Sequence, residues 1–173
     1  MRCLHMFGNQ IVSGSSDMTI RVWDLDEGPG WSRGSCRRTI AGHSGAVRCL
    51  QASATRIVSG SYDATLRIWD MITGRCLHVL RGHAGAVLSL RFDDARIVSG
   101  GMDCLIRIWD HAGHCLQTLA GHRGGVTSIH FSPEDQVLRL LQPLPRPLPR
   151  PLYLYLMPCV ASTTTAFGVL PHM

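Results

Sequence analysis

The chain has 173 residues, 45% apolar and 17% charged, with four Trp, three Tyr and four Phe, proportions that fit one soluble domain or part of a larger one and exclude a multidomain enzyme. All 17 cationic residues are arginines, so the net charge of +5 is carried by forks that suit carboxylate or phosphate, a mild bias toward acidic partners. Met1-Arg2-Cys3-Leu4-His5 runs straight into Gly8-Asn9-Gln10 without the apolar stretch of a secretory leader, and seven cysteines make no C-x-x-C pair, so reduced thiols in the cytosol or nucleus are expected, not disulfides or a zinc ribbon.

Self-similarity organises the rest of the sequence. Gly-His recurs at Gly42-His43, Gly82-His83 and Gly121-His122, and Trp-Asp at Trp23-Asp24, Trp69-Asp70 and Trp109-Asp110. From His43 to Asp70 and from His83 to Asp110 the spacing is 27 residues, and the two windows share 15 identities without a gap.

In chain order, residues 1–8 read as a leader outside the array. The first unit, from Asn9, keeps Ser13, Asp17 and Trp23 but lacks a Gly-His and an opening strand. A six-residue excess over Asp26–Ser35 then places Trp31 in a Gly-rich loop, either an anchor for a partner or a ring packed on its own unit. In the second unit, short apolar runs alternate with turn residues and give four strands, Ala46–Leu50, Arg56–Ser59, Thr65–Trp69 and Arg75–Leu80. Tight turns fall over residues 61–64 and at Thr73-Gly74, where Asp and Gly tolerate or bond unusual backbone. The third unit repeats this plan, and the fourth runs from Gly121-His122 to Phe131-Ser132 before the pattern stops. The array therefore covers 9–132 as two complete and two partial units. Residues 133–173 form a tail expected to be disordered, first with prolines at every second position from 143 to 151, then uncharged from 152 to 170. Pro158, Ser162 and the run Thr163-Thr164-Thr165 make it a poor membrane span. An array that opens and stops in mid-unit reads as a fragment.

Gly-His, Ser-Gly-x-x-Asp and Ile-Arg-(Ile/Val)-Trp-Asp together resemble the WD-repeat β-propeller family. The resemblance implies an all-β, incomplete propeller of two complete four-stranded blades plus two partial ones. It also implies a structural network in which His bridges the turn Asp and a strand hydroxyl, and that hydroxyl meets the Trp N–H. The members are His43, Ser59, Asp63 and Trp69 in one blade and His83, Ser99, Asp103 and Trp109 in the next.

The same residues invite a hydrolase reading, with His43 as base, Ser59 as nucleophile and Asp63 as orienter. Repetition on successive blades argues against it, since catalysis needs one pocket and one oxyanion site. No catalytic residue is assigned. His111, His114 and Cys115 have ligand-like spacing, but their counterparts Met71, Gly74 and Cys76 do not, so no metal or cofactor is assigned. Cys36, Cys76 and Cys115 read as small apolar groups in equivalent fourth strands, and Arg21, Arg67 and Arg107 as structural, which disfavours nucleic-acid binding.

In the resembled family, the turn between strands two and three and the start of strand one open on one rim, where peptides bind. The matching positions are Ser16, Tyr62 and Met102 before the turn aspartates, and Arg48, Leu88 and Thr127 in strand one. Arg48 beside bulky groups suits a peptide with an acidic or phosphorylated group, while ordinary surface is the competing reading of each residue. The phrases Val47-Arg48-Cys49-Leu50 and Gly74-Arg75-Cys76-Leu77-His78-Val79-Leu80 resemble the propellers of F-box/WD-repeat ubiquitin-ligase substrate receptors. There, rim arginines read phosphorylated degrons and Arg48 is the matching position; Leu88 and Thr127 at the next equivalents leave no ring of arginines. The expectation is a non-catalytic protein-interaction scaffold within such a receptor, with no small-molecule substrate and with self-association through open blade edges. Its rivals are a fragment without independent function and, from another class, a hydrolase or metal enzyme.

Overall fold

Strands of four to seven residues with one apolar face cannot be stable alone, and they bury that face by forming sheets that stack. In the computed structural model, which describes residues 1–25 and 34–130, they do so as three antiparallel meanders. The first joins β1 (Cys3–Phe7), β2 (Gln10–Gly14), β3 (Ile20–Leu25) and β4 (Gly34–Ile40). The second joins β5 (Val47–Ala52), β6 (Arg56–Ser61), β7 (Thr65–Asp70) and β8 (Cys76–Arg81). The third joins β9 (Val87–Phe92), β10 (Ile97–Gly101), β11 (Ile106–Trp109) and β12 (Cys115–Leu119). Among the described residues the sheets do not close into a ring. Trp31 and the tail beyond residue 130 lie outside the described residues.

The reading of an all-β, incomplete propeller holds, with one correction at its start. Residues 1–8 are not a leader: β1 pairs with β2 from Cys3 opposite Gly14 to Phe7 opposite Gln10, so the first blade has its inner strand. The long excess before the second unit hid it. Trp23 and Trp69 stand 46 residues apart, and at that offset Arg2-Cys3-Leu4 fall on Arg48-Cys49-Leu50.

Blades meet face to face through apolar slabs. Val12, Ile20, Val22 and Ile40 of the first blade pack on Val47, Leu50, Ile57 and Trp69 of the second. Val58, Leu66, Ile68 and Leu80 then meet Val87, Leu90, Ile97 and Trp109 of the third. Each aliphatic side chain buried this way contributes about 1.5–3 kcal/mol, so the joints between blades hold the array together. On the far side of the third blade, Val98, Ile106 and Ile108 are covered by Val126 and Ile129.

The inner strands approach so closely that the end of strand two must be glycine. A Cβ on Gly60 would lie 2.6 Å from Val87 Cγ1 and 2.7 Å from Cys49 Sγ. The outer strands β4, β8 and β12 are edges, and a register shift beside each Trp marks where they turn away. Cys36, Cys76 and Cys115 stand opposite Trp23, Trp69 and Trp109 and are exposed, not packed as the expected small apolar groups.

Candidate functional site

The turn between strands two and three supplies the first polar group of each blade. Asp63 caps its own turn, accepting the Thr65 N–H at 2.9 Å and the Thr65 hydroxyl at 2.6 Å. The left-handed residue is the next one along, with φ of 68° at Met18, 64° at Ala64 and 64° at Cys104. The aspartate supplies the hydrogen bonds that hold these non-glycine residues there.

Asp63 also accepts the Ser44 N–H at 3.0 Å and meets His43 Nδ1 at 2.7 Å. With that proton on Nδ1, Nε2 is an acceptor, so the Ser59 hydroxyl 2.8 Å away donates to it and accepts the Trp69 Nε1–H at 2.8 Å. The chain of bonds runs one way, from indole through hydroxyl and imidazole to carboxylate. Burial drives the His43 pKa down, outweighing the hydrogen bond and charge of Asp63, so the ring is neutral. Burial pushes the Asp63 carboxyl up, but bonds from Thr65 and His43 outweigh it and hold the group at about 2.

The third blade repeats the network. His83 Nδ1 lies 2.9 Å from Asp103, Nε2 lies 2.8 Å from Ser99, and Trp109 Nε1–H reaches the same hydroxyl at 2.8 Å. All eight expected members are thus brought together in two fours. Ser59 and Ser99 are fully buried beneath their indoles, which leaves neither hydroxyl a path to a substrate. The first blade holds Trp23 Nε1–H on Ser13 at 2.9 Å and Asp17 on Thr19, without an imidazole.

Gly-His carries a second requirement. A Cβ on Gly42, where φ is 155°, would lie 2.9 Å from Trp69 Cη2 and 3.1 Å from Arg67 Nη1, so the glycine lies on the indole. Arg67 sits 5.8 Å from the centroid of that ring, and Arg107 donates to Thr118 Oγ1 at 3.0 Å. His111 Nε2–H donates to the Asp93 carbonyl at 2.8 Å while His114 pairs with Asp110 at 2.9 Å, so the two imidazoles have separate partners.

On the rim, Tyr62 N–H donates to the Ala46 carbonyl at 3.0 Å and Met102 N–H to the Ala86 carbonyl at 2.8 Å, tying each turn to the start of strand one. Tyr62 and Met102 are 46% and 64% exposed, Ser16 and Thr127 are exposed, and Arg48 and Leu88 are half-buried. Arg48 and Leu88 sit at equivalent bulges, between Val47 and Cys49 and between Val87 and Ser89. Leu88 Cδ1 and the backbone Cα of Met102 lie 2.9 and 3.4 Å from the Cβ position of Gly125, so the Leu88 side chain reaches across to the start of the next repeat beside the Met102 turn.

The sequence reading missed Arg2. Its Nε–H donates to Ser16 Oγ at 2.8 Å, and its guanidinium stands 5.7 Å from the Tyr62 ring centroid. Arg2 is the repeat equivalent of Arg48, so adjacent blades offer two arginines, followed by Leu88 and Thr127. The 46-residue offset between Trp23 and Trp69 was the available signal.

A family model described as WD domain, G-beta repeat matches residues 2–24, 34–70, 74–110 and 113–138. Over 45 residues the chain is 47% identical to F-box/WD repeat-containing protein 7 of Drosophila melanogaster, a stretch that is 26% of this chain and 3% of the fly protein. Among solved structures, the computationally designed Ika4 protein superposes with a TM-score of 0.67 at 36% identity over 75% of this chain and 78% of that one. The computationally designed Ika8 protein gives the same TM-score and identity over 75% of this chain and 39% of that one.

Proposed function

The chain belongs to the WD domain, G-beta repeat family, and from that premise we propose that it is a non-catalytic interaction platform whose rim binds peptides carrying an acidic or phosphorylated group. The observation that carries this reading is the pair of arginines, Arg2 and Arg48, at one repeat position of neighbouring blades, with Arg2 beside Ser16 and Tyr62. Two guanidinium forks present more donors than one anionic group needs, and an exposed aromatic ring gives the peptide a flat surface to lie on. Leu88 and Met102 on the next blade offer an apolar contact instead of a third charge, and Thr127 a hydroxyl. The platform acts as a substrate-reading part of a ubiquitin-ligase receptor in the cytosol or nucleus, a reading supported by the similarity to the fly F-box/WD repeat protein. No helix among the described residues is long and apolar enough to cross a membrane.

Fluorescence anisotropy with a library of phosphorylated peptides and their unphosphorylated twins tests this. The phosphorylated members bind more tightly, and Arg2→Ala and Arg48→Ala each weaken them about tenfold or more, as loss of a charge-assisted contact requires. Equal binding of both twins, or indifference to both substitutions, overturns the reading.

A further inference from the structure

His5, Gln51 and Arg91 occupy one repeat position on the inner strands β1, β5 and β9. Gln51 uses that position to clamp the next blade: its Oε1 accepts the Phe92 N–H at 2.9 Å and its Nε2–H donates to the Phe92 carbonyl at 3.1 Å. His5 makes the corresponding contact one joint earlier, where its Nδ1 accepts the Ala52 N–H at 3.3 Å. Ala52 is the repeat equivalent of Phe92. The two contacts are therefore copies, with an amide in one joint and an imidazole in the other.

Only one of these two groups titrates. An amide keeps its acceptor at every pH, whereas an imidazole accepts at Nδ1 only while its single proton is on Nε2. A second proton turns Nδ1 into a donor facing a donor. Val12 is the partner of His5 on β2, Ala52 lies across the joint on β5, and the charge that reaches the ring is the Arg91 guanidinium of β9. Burial first, and then Arg91, hold the ring below its ordinary 6.5. The closed joint thus binds the proton less readily than an open one, so the contact is intact above 6.5 and is lost as pH falls below it.

The rim arginines straddle this same joint. Arg2 stands on the first blade just before β1, and its guanidinium crosses to the Tyr62 ring of the second blade, 5.7 Å from the centroid. Along the joint the Val47 N–H donates to the Ser15 carbonyl at 3.0 Å, and Cys3 Sγ lies 3.8 Å from the Val47 carbonyl. We propose that His5 is a positioning residue, a pH-sensitive latch that sets Arg2 against Arg48 and so makes anionic-peptide binding weaken in acid, a role that rests on the peptide-reading function of those two arginines. The next joint, held by Gln51, keeps Leu88 in place beside Arg48 at every pH.

Two readouts on the 173-residue protein test this, with His5→Gln, which copies Gln51, and His5→Ala, which removes the acceptor. Amide hydrogen exchange, expressed as protection relative to the unfolded chain, reports the latch itself. In the wild type, Ala52 loses about threefold or more of its protection between about pH 7.5 and about pH 5.5, as loss of one hydrogen bond requires, while Phe92 does not. In His5→Gln the Ala52 amide behaves like Phe92, and in His5→Ala its protection is low throughout. Anisotropy with the phosphopeptide that the wild type binds most tightly reports the coupling. Titration of the phosphate is common to both proteins, so the ratio of wild-type Kd to His5→Gln Kd isolates the latch and rises about threefold over the same range. Ala52 protection that ignores pH in the wild type, or that still follows it in His5→Gln, overturns the latch. A flat Kd ratio with a working latch overturns the positioning role. If no phosphopeptide binds at any pH, the peptide-reading function fails and the positioning role with it, while the Ala52 amide alone decides the latch.

Discussion

His43 Nδ1 lies 2.7 Å from the Asp63 carboxylate, with the imidazole side chain fully buried and the carboxylate nearly so. A buried carboxylate needs every bond it can obtain, and Asp63 receives them from a ring, two backbone amides and a hydroxyl. Removing it leaves those donors unpaired. Asp63→Ala and His83→Ala are each expected to destabilise the array by roughly 1–3 kcal/mol. Asp17→Ala in the first blade, where the turn is exposed and no imidazole is bound, has a smaller effect. Urea unfolding of the three variants checks the order; an Asp17 variant as unstable as the Asp63 variant contradicts it.

The same pairs set the acid limb of stability. His43 and His83 are pushed below their ordinary 6.5 by burial, against the pull of Asp63 and Asp103, so the unfolded chain binds those protons more readily. Stability from this source is present above 6.5 and falls as pH drops below it. Asp63 has its carboxyl at about 2 against an ordinary 3.8, so its contribution is present above 3.8 and is lost between there and about 2. Both act in one direction. The urea midpoint should hold steady in mild alkali, decline once pH passes below 6.5, and steepen below 3.8. A midpoint constant from neutrality down to about pH 5 means that the imidazoles are not held neutral by the fold.

Much of this architecture was legible because it rests on residues that cannot be exchanged. Gly42 touches an indole, His43 has a partner on each ring nitrogen, and Trp69 fills the joint between blades, so all three recur with the period. β1 was hidden because its period is stretched by the excess over Asp26–Ser35, and Arg2 was hidden with it. The left-handed residues Met18, Ala64 and Cys104 share no chemistry, since the neighbouring aspartate does the work of holding them. Cys36, Cys76 and Cys115 misled for another reason: spacing records their equivalence, but the bulge opposite each Trp decides that they face outward.

Thiol reactivity separates two sets of cysteines. Cys3 and Cys49 lie in the joints between inner strands, each Sγ 3.8 Å from a carbonyl of the next blade, Val47 and Val87 respectively. Burial pushes the Cys3 thiol up to about 11 and the Cys49 thiol higher still. Cys36, Cys76 and Cys115 are exposed on outer strands. Alkylation at neutral pH, followed by peptide mapping, should label those three first and leave Cys3 and Cys49 unlabelled until the chain unfolds. Labelling of Cys49 at the rate of Cys76 requires that the blades separate in the native state.

Gly60 provides the sharpest test of how closely the blades approach. Its Cβ position lies 2.6 Å from Val87 Cγ1 and 2.7 Å from Cys49 Sγ, and neither neighbour is a flexible chain end. In Gly60→Ala the inner strands must part or the Val87 rotamer must change, at a cost of about 1–3 kcal/mol. Among the described residues no atom lies within 4 Å of the Gly124 Cβ position, so Gly124→Ala is expected to be neutral or slightly stabilising. Restoring space with Val87→Ala in the Gly60→Ala background should recover part of the loss, because the two changes share one contact. If the double variant is only the sum of the singles, the joint between the second and third blades is looser than the distance of 2.6 Å implies.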